Sequence, residues 1–362
     1  MAIVQTYHTF EKHIRHMLTV NHKSRIRNLA WMMTGIFFSR SVHLSFIAKK
    51  IPGLTERRSR TRRISRFLHN GHFRVRDWYK PVADRLLAEA AGSGRPIQLI
   101  IDATKVTNNY QLLIVAIAFR RRALPLVWTW IRHKKGHSSG RKQKALLNYV
   151  YQLIPRGTEV VLTGDSEFTP LQGLLDHWGW YYALRQKGSH KIRRSPAEDW
   201  QRVDELVIKS GQRVWLEAVQ LTQVYQHESN FLALWQSGHA EPWLLATNLP
   251  SARVTIRHYK RRMWIEEMFG DFKGNGFDLE KSRLGDFLSL SRLTFVVAIL
   301  YLALISLGVS TIKHGRRHLG DRRERRDLSI FRIGYDILEH YIINERRFSI
   351  RFCPYFEKVS GS

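Results

Sequence analysis

Acidic residues are scarce in this chain: 30 Asp+Glu stand against 59 Lys+Arg in 362 residues, a formal net charge of +29. An imbalance of that size needs a polyanion, and nucleic acid is the leading partner. A membrane surface is the competitor, disfavoured because the basic residues run through the whole chain instead of clustering beside an anchor. Cysteine is nearly absent; the single Cys353 excludes an internal disulfide. Met1 to Thr9 has no charged stretch followed by an apolar segment, so a cytoplasmic protein is expected. Repeats and low-complexity tracts are missing too, which excludes solenoids and fibrous arrays. Gly92-Ser93-Gly94 and Gly274-Asn275-Gly276 lack the lysine and hydroxyl of a phosphate-binding loop, so no nucleotide site is expected. One long hydrophobic run exists, Leu293 to Val309, broken by Thr294, Ser306 and Gly308. It is marginal for a bilayer and reads as a buried core helix.

The 17 histidines show no ligand spacing apart from His133 and His137, and that pair lies in the loop-like, cationic stretch Arg132 to Gly140. A basic loop touching phosphate, continuing to Lys142, suits it better than zinc. Ser138 and Ser139 have no base-and-orienter context for a nucleophile. Most of the 11 tryptophans belong in the core, with Trp243 the best candidate for stacking on a base.

The chain can bury one large core or two to three smaller ones. Residues 1–95 hold 19 Lys+Arg against 5 Asp+Glu, with apolar residues at helical spacing. Pro52-Gly53 breaks the pattern, and Thr55 is placed to cap a second helix carrying Arg57, Arg58, Arg60, Arg62, Arg63 and Arg66. A helix, a turn and a basic helix form a DNA-reading arrangement, with Arg60 and Arg63 as candidate contacts. A backbone-binding or simply solvated arginine helix is the alternative. Ala91 to Gly94 reads as a linker. From Pro96 the texture changes to strands at 97–101, 110–119 and 123–131, a helix at 145–153, a strand at 159–163, a helix at 169–177 and a strand at 180–184. Short strand-like runs between 186 and 248 read as a β-rich insertion, and the rest is helical.

Three acids stand out. Asp102 ends the run Gln98 to Ile101, and Asp165 follows Val160 to Gly164, so each sits where an apolar strand meets a turn. Either alone is an ordinary turn-former or helix cap. The third, Glu266, lies in a helix expected at about 256–273. At 100° per residue Tyr259, Arg262, Glu266 and Lys273 fall at roughly 0°, 300°, 340° and 320°, whereas Glu267 and Asp271 project at about 80° and 120°. One face therefore joins a carboxylate to two cations and a phenol, which suits a metal bound beside a phosphate backbone. Two strand-end acids and a helix acid supply the oxygen-only ligands that magnesium or manganese prefers.

The spacing Y-x2-R-x3-E-x6-K formed by Tyr259, Arg262, Glu266 and Lys273 resembles the signature of bacterial insertion-sequence transposases of the IS-four type, cut-and-paste enzymes with a DDE triad. The resemblance covers residues 96–275. It implies an α+β protein with a ribonuclease-H-like catalytic core, carried by 96–185 and 249–310 and interrupted by the β-rich insertion 186–248. A helical DNA-binding domain, 1–95, would precede it and a basic helical region, 311–362, would follow. The resemblance further implies Asp102, Asp165 and Glu266 as catalytic metal ligands for two Mg2+ or Mn2+ ions. Tyr259, Arg262, Lys273 and Trp243 would grip DNA, and double-stranded element ends and target DNA would be the partners of a homodimer in the bacterial cytoplasm. A junction-cutting nuclease of the same fold and a domesticated, non-cleaving DNA-binding protein remain as alternatives.

Overall fold

The computed structural model describes residues 2–18, 22–132, 138–206, 208–223, 226–322 and 326–358. Five helices open the chain: α1 (Ala2–Met17), α2 (Lys23–Ser39), α3 (Leu44–Lys49), α4 (Arg57–Leu68) and α5 (Val75–Ala91). The arginine helix begins one residue later than its sequence suggests, with Glu56 and not Thr55 at the N-cap. Three long strands follow, β1 (Ile97–Lys105), β2 (Tyr110–Phe119) and β3 (Arg122–Arg132), then α6 (Gly140–Leu153) and β4 (Val160–Gly164). A 3-10 turn (Ser166–Leu171) leads into α7 (Gln172–His177) and β5 (Tyr181–Arg185). Next come β6 (Lys191–Arg193), β7 (Gln201–Arg202), β8 (Arg213–Leu221), β9 (His227–Leu234) and β10 (Trp243–Thr247). Four helices close the fold: α8 (Ala252–Tyr259), α9 (Trp264–Phe272), α10 (Phe287–Lys313) and α11 (Ile330–Ile343).

All ten strands join one sheet in the order β3-β2-β1-β4-β5-β10-β9-β8-β6-β7. The β1–β2–β3 part is an antiparallel meander, β4 and β5 run parallel to β1, and β10 returns antiparallel to β5. The strands of 186–248 thus extend the same sheet. Their outer face buries its own small apolar cluster around Ile192, Val219, Leu221 and Phe231. The other face, with Leu232 and Leu245, shares a cluster with Val161, Ala183 and Tyr259. Pro125 is tolerated inside β3 because that strand is an edge, and its carbonyl accepts a 2.6 Å hydrogen bond from the Tyr79 hydroxyl on α5.

The largest apolar cluster runs without a break from Phe10 and Leu29 through β1–β3 to α10 and α11. α10 explains this continuity. It touches α2, α4, α5, β3 and α11, so it is apolar on every side and is the core helix its sequence suggests. Inside it, Arg292 is buried and donates to the carbonyl of Leu68 (2.6 Å), giving the orphan end of α4 a donor, and to that of Phe73 (3.0 Å) in the loop before α5. α11 crosses α10 where Gly308 and Gly334 meet. A methyl group on Gly308 would overlap the Ile330 carbonyl, and one on Gly334 the Leu304 carbonyl. In the C-terminal region, described residues beyond α11 form no helix; Phe348, Ile350, Phe352 and Phe356 instead lay an irregular strap on the main cluster.

Candidate active site

The strand register sets two of the three acids side by side. Ile101 of β1 pairs with Gly164 of β4 as the last step of their parallel ladder, so Asp102 and Asp165 follow at the same level, one residue beyond it. Asp165 lies just past β4 at the start of the 3-10 turn, and its carboxylate makes no capping hydrogen bond there. Asp102, by contrast, is not at a strand end. β1 continues to Lys105 because β2 goes on pairing with it, Asp102 opposite Ile114. The carboxyl is 8% exposed, and its Oδ1 accepts the Ala103 N–H at 2.8 Å.

The segment bearing Glu266 is not the unbroken helix expected over 256–273. α8 ends at Tyr259, residues Lys260–Met263 wind as a 3-10 turn, and α9 starts at Trp264. Tighter winding turns each residue about 20° further than an α-helix does, so the face breaks at Arg262. The segment is fastened along one face of β1. Gln98 donates to the His258 carbonyl (2.6 Å), while its side-chain oxygen accepts from His258 Nδ1 (3.0 Å) and Arg261 Nη1 (3.1 Å). Four residues on, Arg262 Nη1 reaches Asp102 Oδ2 at 2.8 Å and lies 3.8 Å from Glu266 Oε1. Four strand residues span about 13 Å and four helical residues only about 6–8 Å, a gap that the long arginine side chain covers. Gln98 as a positioning residue escapes a reading by motif; the signal was a lone amide within an apolar strand, which needs buried partners.

The other signature residues divide. Tyr259 is 3% exposed and packs edge-on against Trp243 at 5.0 Å, so it supports the site from beneath instead of lying open on a DNA-facing stripe. Lys273 is not brought to the carboxylates: α9 stops at Phe272, and the Lys273 ammonium pairs with Glu280 at 3.3 Å. Glu267 and Asp271 do project elsewhere, both onto Arg122 of β3, at 3.0 and 2.8 Å. Glu266 itself remains about half exposed.

Burial pushes the Asp102 carboxyl up to about 7; Arg262 and the Ala103 N–H pull it down, while Glu266 and Asp165 push it further up. Burial alone would lower the Arg262 guanidinium, but Asp102, Tyr259, Asp165 and Glu266 together raise it. The Tyr259 phenol is pushed up to about 12 by burial, with Arg262 acting against the rise and Asp165 for it. His258 is driven down to about 4 by burial and by Arg261 and Arg257, so its ring is neutral. Asp102 and Glu266 therefore share one guanidinium, on which Asp165 acts from farther away. The donor set is oxygen-only, as magnesium or manganese requires, yet among the described residues no three acids or imidazoles are arranged to hold a metal ion. Arg262 stands between Asp102 and Glu266.

Of the residues expected to touch DNA elsewhere, Arg60 turns inward, donating to the Ile51 carbonyl and steadying the α3–α4 turn. Arg63 is exposed, with Nε on Asn28 at 2.8 Å, and Lys142 is exposed near the start of α6. Arg25, Arg60, Arg63 and Arg66 line a groove of about 610 Å³ between α2 and α4. His133 and His137 lie outside the described residues.

No curated protein matches the chain. Among solved structures, a piggyBac transposase synaptic complex with hairpin DNA aligns over 95% of this chain and 78% of its own, at 9% identity and a TM-score of 0.43, a likeness too weak to assign anything here. The sequence family is decisive. Residues 95–303, from the start of β1 into α10 and enclosing Asp102, Asp165 and Glu266, match the family described as the transposase DDE domain, and the chain belongs to that family.

Proposed function

We propose that this protein is an insertion-sequence transposase of the IS-four type, cleaving the ends of a mobile DNA element and joining them to target DNA with Asp102, Asp165 and Glu266 as its triad. One observation carries the assignment of the residues: Asp102 and Asp165 each follow the last paired step of the parallel β1–β4 ladder, and Arg262 ties the Glu266 segment to Asp102. The order β3-β2-β1-β4-β5, with β2 antiparallel, supports a ribonuclease-H-like core. The charge of +29 supports double-stranded DNA as the partner, and joining two element ends calls for a homodimer in the bacterial cytoplasm.

Asp102, Asp165 and Glu266 would hold two Mg2+ or Mn2+ ions. Such ions, when bound, help a water or a 3′-hydroxyl attack phosphorus and stabilise the departing oxygen. The protein's own groups do the placing. Gln98 and His258 fix the segment to β1, Tyr259 and Trp243 support it from below, and Arg262 is the guanidinium nearest the acids, suited to a bidentate phosphate contact. Arg63, Lys142 and the exposed arginines of α4 supply contacts farther along the duplex.

The test is strand cleavage of a duplex carrying the inverted repeat that flanks the gene, in magnesium. Losing a group that merely supports a metal ligand costs about 10–100-fold, so Asp102→Ala, Asp165→Ala and Glu266→Ala should each lose at least about 100-fold while binding the duplex normally. Glu267→Gln should stay within about twofold, since Glu267 is more than half exposed, faces away from the triad, and leaves Arg122 its buried partner Asp271. Near-normal cleavage by any triad variant removes that residue from the site.

A further inference from the structure

We propose that Arg262 is a latch: in the DNA-free protein its guanidinium occupies the cation position among Asp102, Asp165 and Glu266, and a DNA phosphate draws it away, so that the carboxylates take a divalent ion only once DNA is bound. The inference rests on the function proposed above and adds an order of binding to it.

Four observations lead there. First, both oxygens of Asp102 are engaged, Oδ1 by the Ala103 N–H and Oδ2 by Arg262, each at 2.8 Å. An ion held at about 2.0–2.2 Å from Oδ2 would face the guanidinium across a few ångströms of buried space. Second, the pair is shut in: Asp102 and Arg262 are each 8% exposed, so water does little to screen a second cation brought beside the first. Third, among the described residues no three-ligand metal group is assembled, although the register places Asp102 and Asp165 side by side. Fourth, Arg262 sits in a single 3-10 turn between α8 and α9, where hydrogen bonding is poorer than in a helix and a small rotation re-aims the side chain.

The exchange balances in charge. Arg262 leaves a carboxylate for a phosphate, which offers its planar fork an equally good bidentate partner. The carboxylates it leaves behind then need a cation, and the metal supplies one. Free protein would accordingly hold no assembled cleavage centre, and strand cutting would be confined to the bound complex.

Mn2+ binding to the full-length protein, read by electron paramagnetic resonance, tests the latch without reference to cleavage. The probe is Mn2+ alone, with and without a duplex oligonucleotide, and the Asp102→Asn complex corrects for Mn2+ held by the DNA. Wild-type protein should bind Mn2+ at least about tenfold more tightly with duplex than without, within the roughly 5–150-fold range usual for coupled sites. Arg262→Gln should bind Mn2+ without DNA about as tightly as the wild-type complex does, and DNA should then add little. Arg262→Lys, able to reach one oxygen only, should fall between, and it carries the test if circular dichroism shows the glutamine variant unfolded. Equal wild-type affinity with and without DNA overturns the latch, as does a folded Arg262→Gln or Arg262→Lys variant with unchanged affinity in the free state. Absence of Mn2+ binding in every state, the DNA complex included, would instead overturn the carboxylate site and the latch with it.

Discussion

Magnesium-dependent nicking should fail near pH 7, about three units above where an ordinary aspartate would let it fail. Burial pushes the Asp102 carboxyl up to about 7 with Arg262 still pulling it down, so the loss of Arg262 to a DNA phosphate would leave it no lower, and a metal ligand must be ionised before it binds. A carboxyl at about 7 is about 90% ionised at pH 8 and about 10% at pH 6, so nicking at sub-saturating magnesium should drop at least about tenfold across the interval. An unshifted aspartate would be almost fully ionised at both pH values and the profile flat. The sign follows from the acid: its raised value keeps the neutral form present up to about 7, so activity is lost as the pH falls and not as it rises. Raising magnesium should move the midpoint downward, because the ion competes with the proton. Initial nicking rates on an end-labelled duplex, taken from pH 5.5 to 8.5 at two magnesium concentrations, provide the measurement. Asp271 is also pushed up to about 7, by burial against the pull of Arg122, but it faces away from the site, so Asp271→Asn should leave the profile in place. His258, neutral throughout, does not contribute. A flat profile between pH 6 and 8, or a midpoint indifferent to magnesium, would refute the placement of Asp102.

Two further expectations concern the frame. Gly334→Ala, which forces a methyl group against the Leu304 carbonyl, should destabilise the fold by about 1–3 kcal/mol, seen as a lower midpoint of urea unfolding; an unchanged midpoint would mean that α10 and α11 can separate freely. Replacing exposed Arg57, Arg58 and Arg62 together with Ala should reduce the salt slope of DNA binding by up to about 2.7, at about 0.9 for each phosphate no longer neutralised. Arg60→Ala should leave that slope alone and reduce stability, because its guanidinium serves the Ile51 carbonyl; fluorescence anisotropy across a salt series separates the two.

Much of this arrangement is legible in the sequence, for local reasons. Short, nearly continuous apolar runs mark β1 to β5, unbroken apolar character marks α10, and the acids after Ile101 and Gly164 mark the ladder's end. What a helical wheel misses is the 3-10 turn at Lys260–Met263, since it assumes one constant angle per residue. That assumption places Lys273 beside Glu266, although the chain turns away after Phe272 and gives Lys273 to Glu280. It also treats Tyr259 as a surface phenol, when Trp243 of β10, the strand just before α8, packs edge-on against it and Leu232 and Leu245 share its apolar cluster. The same limit hides the β5–β10 pairing, whose register depends on strands some 60 residues apart.

Charge balance then separates the candidate site from the other buried acids. Among the described residues, buried Asp321 is matched by Arg317 at 2.6 Å. Asp271 and Glu267 share Arg122, but Glu267 is more than half exposed and solvent carries the surplus charge. At Arg262 the ratio is different. Arg262 pairs with buried Asp102 and lies 3.8 Å from half-exposed Glu266, while the ladder sets Asp165 beside Asp102, so acids outnumber cations there in a chain whose net charge is +29. Selection for stability alone gives no reason to gather acids there, because burying like charges together costs free energy that a hydrophobic cluster would not. A divalent cation matches the deficit, and the arginine that partly covers it in the free protein is placed to accept the phosphate on which that cation would act.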